Sequence, residues 1–88
     1  MKTLYERSFL KDIKSRKDKA LKGRIEAVIS DIQKAKDRTE LKHVEKLKGH
    51  EAAYKIRIGA YRLGLFIEEE TVIFSRFLHR KEIYKKFP

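Results

Sequence analysis

YKIRIGAYRLGLF, residues 54–66, alternates apolar and basic side chains, pauses at a Gly-Ala pair, and then resumes. Alternation with period two marks half-buried β-strands, and a two-residue break containing glycine marks a hairpin loop. Taking Gly59 and Ala60 as that loop sets the register: Ile58 faces Tyr61, Arg57 faces Arg62, Ile56 faces Leu63, and Lys55 faces Gly64. Directly opposed side chains share a sheet face. Tyr54, Ile56, Ile58, Tyr61, Leu63 and Leu65 then occupy one side, and Lys55, Arg57 and Arg62 the other. Like charges set directly opposite are destabilising, so the Arg57–Arg62 pair asks for a reason outside folding.

Outward from the hairpin, KTLYE (2–6) reads as a short first strand. Ser8 suits the N-cap of a helix that carries Phe9, Leu10 and Ile13. Leu21, Ile25, Val28, Ile29 and Ile32 recur at helical spacing and form the apolar stripe of a second helix. Gly23 weakens that helix by roughly 1 kcal/mol relative to Ala. Residues 37–52 have less order, with Leu41, Val44 and Leu47 as anchors. Glu68, Glu69 and Glu70 form an exposed turn before TVIFSRFL (71–78), a strong strand, and HRKEIYKKFP (79–88) is a short basic tail, helical or irregular. The order β-α-α-β-β-β predicts an α+β fold, a small two-layer domain spanning 1–88. Its N-terminal strand and helical hairpin pack on a mainly antiparallel sheet, leaving Lys55, Arg57 and Arg62 on the far face, open to a ligand.

The chain has 88 residues, no cysteine, and a formal net charge of +10 spread over both halves. A chain of this length buries only about 60–65% of its unfolded surface. Without cysteine it has neither disulfide nor thiolate metal site, which fits a reducing compartment. No apolar run approaches the roughly 20 residues of a membrane span, and MKTLYERSFLKDIK lacks the apolar stretch of a signal peptide. The expectation is a soluble cytoplasmic protein with no membrane partner. A basic excess of this size points to a polyanion, most often nucleic acid.

No Gly-rich nucleotide loop and no metal-ligand spacing is present, and the histidines, His43, His50 and His79, are far apart in sequence. No cofactor and no metal is expected. The basic face carries the chemistry instead. Guanidinium groups bind phosphate bidentately and can stabilise the extra charge of a pentacoordinate phosphorus. The plain alternative is a solvated face, on which Lys and Arg deter edge-to-edge aggregation. That alternative does not call for Arg57 opposite Arg62.

KLKG, then YKIRIGAYRLGLFI, a strong last strand, and HRKEIY together resemble the RelE/ParE superfamily of toxins from bacterial toxin–antitoxin modules. The resemblance covers essentially the whole chain. It implies a type II toxin that acts as a ribosome-dependent endoribonuclease (an mRNA interferase), cleaving mRNA in the A site without a metal. In that reaction the ribose 2′-OH attacks the adjacent phosphate and leaves a 2′,3′-cyclic phosphate and a 5′-OH. Carried over by position, Lys55 and Arg62 match the cations that hold the phosphate, Arg80 the arginine serving the leaving group, and Tyr84 the tyrosine that orients a base. Arg57 falls where one branch has a lysine proposed as general base. Arginine is a poor proton acceptor, so Glu45 in EKLK, or His79, resembles the base of other branches. The implied partners are a cognate antitoxin, in a hetero-oligomer, and the ribosome with its mRNA. Two other functions remain open: a ParE-like inhibitor of DNA gyrase, and a non-catalytic RNA-binding domain.

Overall fold

The computed structural model describes all residues, 1–88. Strand β1 (Lys2–Tyr5) leads into helix α1 (Arg7–Lys14) and helix α2 (Lys19–Lys34). A 3₁₀ turn at Arg38–Glu40 precedes strands β2 (Val44–Lys46), β3 (Ala53–Ile58), β4 (Tyr61–Glu68) and β5 (Thr71–His79), and helix α3 (Arg80–Lys86) ends the chain. The five strands run in the order β1-β5-β4-β3-β2. Only the β1–β5 pair is parallel.

The hairpin register is the expected one, with Ile58 opposite Tyr61, Arg57 opposite Arg62, Ile56 opposite Leu63 and Lys55 opposite Gly64. Gly59 alone in the loop has positive φ, +60°, as the first central position of a type II′ turn requires. Ile56, Ile58, Leu63, Leu65 and Ile67 face the helices and meet Phe9, Leu21, Ile25 and Ile32 in the main core.

Four features differ from the expectation. Glu6, not Ser8, is the N-cap residue of α1. Ser8 lies inside the helix and its hydroxyl donates to the Ser75 carbonyl at 2.7 Å. Residues 37–52 contain an edge strand, β2, with Val44 against the main core and Leu47 against a second cluster. Of the two forms open to the C-terminal tail, the helix is the one adopted, and α3 covers part of the face expected to be open. Ile83 and Phe87 there join Ala53 and Leu78 in a small second core. The fourth feature is a bulge. Gly64 pairs with Arg76 but Leu65 pairs with Phe74, so Ser75 is an extra residue in β5. Phe74 and Phe77, three apart, therefore both reach the main core.

β1 stops pairing at Phe74, and α1 takes over the exposed edge of β5. The Glu6 N–H donates to the Phe74 carbonyl at 2.9 Å. Asp12 accepts from the Phe77 N–H at 2.9 Å and from the Arg76 Nε and Nη2 at 2.8 and 3.1 Å. The bond with Asp12 raises the pKa of Arg76 further. Backbone groups that would otherwise be orphaned at the end of a parallel pair are thus satisfied by the backbone of Glu6 and by the Ser8 and Asp12 side chains of α1.

Candidate functional site

Glu45, Lys55 and Gly64 form one row across β2, β3 and β4, on the face away from α1 and α2, while Arg76, opposite Gly64 on β5, is bonded to Asp12 of α1. Arg57 and Arg62 form the next row, nearer the hairpin tip. The cations of this face are therefore held at adjacent backbone positions of a rigid sheet. Strand pairing, not side-chain contact, brings them together.

Gly64 is the gap in its row. A Cβ placed there would lie 2.8 Å from the Phe87 ring, so the missing side chain is what lets Phe87 lie flat on β4. Phe87 in turn stacks near Phe66, with ring centroids 5.2 Å apart. Docked in this way, α3 brings Tyr84 over Lys55. The Lys55 ammonium donates to the Tyr84 hydroxyl at 3.2 Å and sits 5.0 Å from the ring centroid. Tyr84 is otherwise 69% exposed, the most exposed of the large apolar side chains. A flat aromatic surface beside a half-buried ammonium and two guanidinium groups offers both a stacking platform and phosphate contacts.

Glu45 reaches Lys55 only at 4.0 Å and its side chain is 67% exposed. Such a pair contributes little to stability. Arg62 turns its Nη1 onto the carbonyls of Gly59 and Tyr61, at 3.0 and 2.8 Å. Arg57 is exposed and makes no hydrogen bond or ion pair. Arg80 opens α3 beside the hairpin loop, where its N–H donates to the Ala60 carbonyl at 2.9 Å and its side chain is exposed.

His79 stands apart. It pairs with Tyr61 on the helical side of the sheet, with the two rings edge to face at 5.6 Å. Its Nδ1 caps α3 by accepting from the Lys81 N–H at 3.2 Å. That bond uses the acceptor lone pair of the neutral ring and leaves Nε2 as the protonated nitrogen. The sheet thus gathers Glu45, Lys55, Arg57, Arg62 and Tyr84 on one face, places Arg80 at its border, and turns His79 away.

Gly64 and Phe87 were not among the candidate residues of the sequence, yet they seat Tyr84. A glycine inside a strand pattern is a known sign of close approach by another group, and Ile83 and Phe87, four apart, are the spacing of a helix face. No group of three His, Asp or Glu side chains lies close enough to hold a metal ion, and no helix is long and apolar enough to cross a membrane.

The profile of a family described as ParE toxin of type II toxin–antitoxin system, parDE, matches residues 4–84. Toxin RelE3 of Methanocaldococcus jannaschii is 40% identical over 89 residues, which span 100% of both chains. A chain of the RelB–RelE antitoxin–toxin complex from Methanococcus jannaschii aligns with a TM-score of 0.80 at 37% identity, covering 97% of this chain and 99% of that one. The isolated E. coli RelE toxin, at 16% identity and a TM-score of 0.64 over 97% of this chain and 92% of its own, shares the fold. On the profile match and the full-length relative, the chain belongs to the RelE/ParE superfamily, among the toxins of type II toxin–antitoxin systems.

Proposed function

We propose that the chain is an endoribonuclease that cleaves mRNA on the ribosome. The ribose 2′-oxygen attacks the adjacent phosphorus, the bond from phosphorus to the 5′-oxygen breaks, and a 2′,3′-cyclic phosphate and a 5′-OH result. Lys55 and Arg62 hold the phosphate and stabilise the added negative charge. Arg80, at the border of the face, stabilises the charge on the departing 5′-oxygen, which takes its proton from water, and Tyr84 stacks on a base. The observation that carries this reading is the Lys55–Tyr84 contact on the same face as the Arg57–Arg62 pair, because it joins a stacking surface to phosphate-binding cations.

The proton of the 2′-OH needs an acceptor. Arg57 cannot serve near neutral pH. Glu45 is on the correct face, opposite Lys55, whereas His79 faces the helices and spends its acceptor nitrogen on Lys81. Geometry therefore favours Glu45 as the base. The reaction so drawn uses only side chains for charge stabilisation, and cleavage is expected to survive a chelator.

A cognate antitoxin is the natural partner, as in the RelB–RelE complex of the archaeal relative. An acidic or amphipathic segment, disordered until it binds, would neutralise the exposed cations, and the complex would weaken as salt screens those charges.

Cell-free translation with primer extension on the mRNA, run beside a gyrase supercoiling assay, tests the reading. Arg62→Ala and Arg80→Ala should each lower cleavage by about 10²–10³ while leaving a folded chain that still binds its antitoxin. Full cleavage by Arg62→Ala refutes the assigned roles. Intact mRNA with blocked supercoiling assigns the chain to gyrase instead, and RNA binding without either effect assigns it to non-catalytic binding.

A further inference from the structure

Three arginine side chains and the backbone of a fourth arginine meet three consecutive residues at the tip of the β3–β4 hairpin. Arg62 bonds the carbonyls of Gly59 and Tyr61, and Arg80 follows the backbone bond to Ala60. The other two come from the helical layer. Arg24 of α2 places its Nη1 3.1 Å from where a Cβ of Gly59 would stand. Arg16, between α1 and α2, lies with its guanidinium 5.0 Å from the Tyr61 ring centroid. The Arg16 Nε is buried without a hydrogen-bond partner, and no other buried side-chain nitrogen or oxygen in the chain lacks one.

No carboxylate balances them. The ion pairs of the chain are Lys55–Glu45, Arg76–Asp12 and Lys86–Glu82, none of which reaches the tip. Core packing does not account for the cluster either, since Arg24 and Arg80 are exposed. Gathered like charges cost stability, and an orphaned Nε adds to that cost.

We propose that Arg16 and Arg24 carry the cation face around the hairpin tip and each bind a further phosphate of the same RNA strand, beyond the one held by Lys55 and Arg62. This rests on the nuclease reading. Gly59, with no Cβ and positive φ, leaves the turn narrow enough for guanidinium groups to approach it from both layers. Stacking on Tyr61 orders Arg16 before the ligand arrives, so less side-chain entropy is lost on binding. Planar guanidinium forks match phosphate oxygens in pairs. Continuity with the Arg57–Arg62 row favours one polyanion that crosses the tip.

The test is the salt dependence of binding, read by fluorescence anisotropy with the full chain and a labelled single-stranded RNA of about 12 nucleotides, from about 25 to about 300 mM KCl. Each phosphate contact on a single strand contributes about 0.7 to the slope of log K against log salt. Arg24→Gln should therefore lower the slope by about 0.7, and Arg16→Gln with Arg24→Gln by about 1.4. Arg24 is exposed, so its single variant keeps the test independent of any folding defect in the double one. An unchanged slope for Arg24→Gln overturns the proposal. An unchanged RNA slope with weakened binding to poly-glutamate overturns it in favour of an acidic polypeptide. Primer extension with Arg62→Ala separates the two readings: lost cleavage with an unchanged Arg24→Gln slope removes the tip alone. Retained cleavage removes the nuclease roles, while the slope still decides whether the tip binds RNA.

Discussion

Replacing Gly64 by alanine should undo the seating of α3. The added Cβ would stand 2.8 Å from Cγ and Cδ2 of Phe87 and 3.0 Å from Cδ1, too close to be absorbed without movement. Phe87 is 5% exposed, so its ring has two ways out. Staying in place overpacks the second core at about 1–3 kcal/mol. Leaving forfeits the burial of a phenylalanine, about 1.5–3 kcal/mol. Both routes centre on about 2 kcal/mol, which in a chain of this size lowers Tm by roughly 8–16 °C. A double-mutant cycle in urea isolates the contact. Phe87→Ala alone should cost about 3–5 kcal/mol. Once the ring is gone the new methyl meets nothing, so the double variant should cost about the same as Phe87→Ala, a coupling of about 2 kcal/mol. Additivity of Gly64→Ala and Phe87→Ala within about 0.5 kcal/mol would refute the ring-on-glycine account. The same variants should lose the Lys55–Tyr84 contact, visible as a shift of the tyrosine ring resonances.

Asp12→Ala strips partners from Arg76 and from the Phe77 N–H and should cost about 2–3 kcal/mol; a loss under about 0.5 kcal/mol in a denaturant titration would deny α1 its role at the β5 edge. Asp37 accepts from the Thr39 hydroxyl and from the Thr39 N–H, which hold its carboxyl below the usual range. A depressed folded value means the turn is supported fully above about pH 4 and loses that support as pH falls through the folded value. Protection of the Thr39 amide should show this acid step, and Asp37→Asn should abolish it. Arg57→Lys should keep cleavage, since position 57 supplies charge. A rate for the lysine variant that climbs above wild type with rising pH would mean instead that a proton acceptor is wanted there.

The hairpin was legible because its alternation and its glycine loop are local signals, and the faces of Lys55, Arg57 and Arg62 follow from them. β2 was not legible: three residues in a charged stretch have no period to detect, and Glu45 gains its place opposite Lys55 only through pairing with β3. The parallel partnership of β1 with β5 joins chain ends that no local pattern connects. Ser8 illustrates a different limit. Its hydroxyl fits an N-cap by composition, but the Ser75 carbonyl, far away in sequence, claims it. His79 adjoins Arg80 in sequence while the two backbone groups serve different surfaces, since one ends a strand and the other opens a helix.

The bulge at Ser75 acts as a change of parity. Before it, Val72 and Phe74 point toward the helices; after it, Phe77 and His79 do so, and Leu78 points the other way. If Ser75 were paired as a regular strand residue instead, the order after Phe74 would invert. Leu78 would face the main core and His79 would join the cations, and α3 would leave the strand from the helical side. Leaving Ser75 unpaired in the middle of β5 thus decides which surface the last helix covers. A single-residue deletion at position 75 should therefore leave the cation face and Tyr84 in place, because Phe74 and Arg76 would pair with Leu65 and Gly64 in one unbroken ladder.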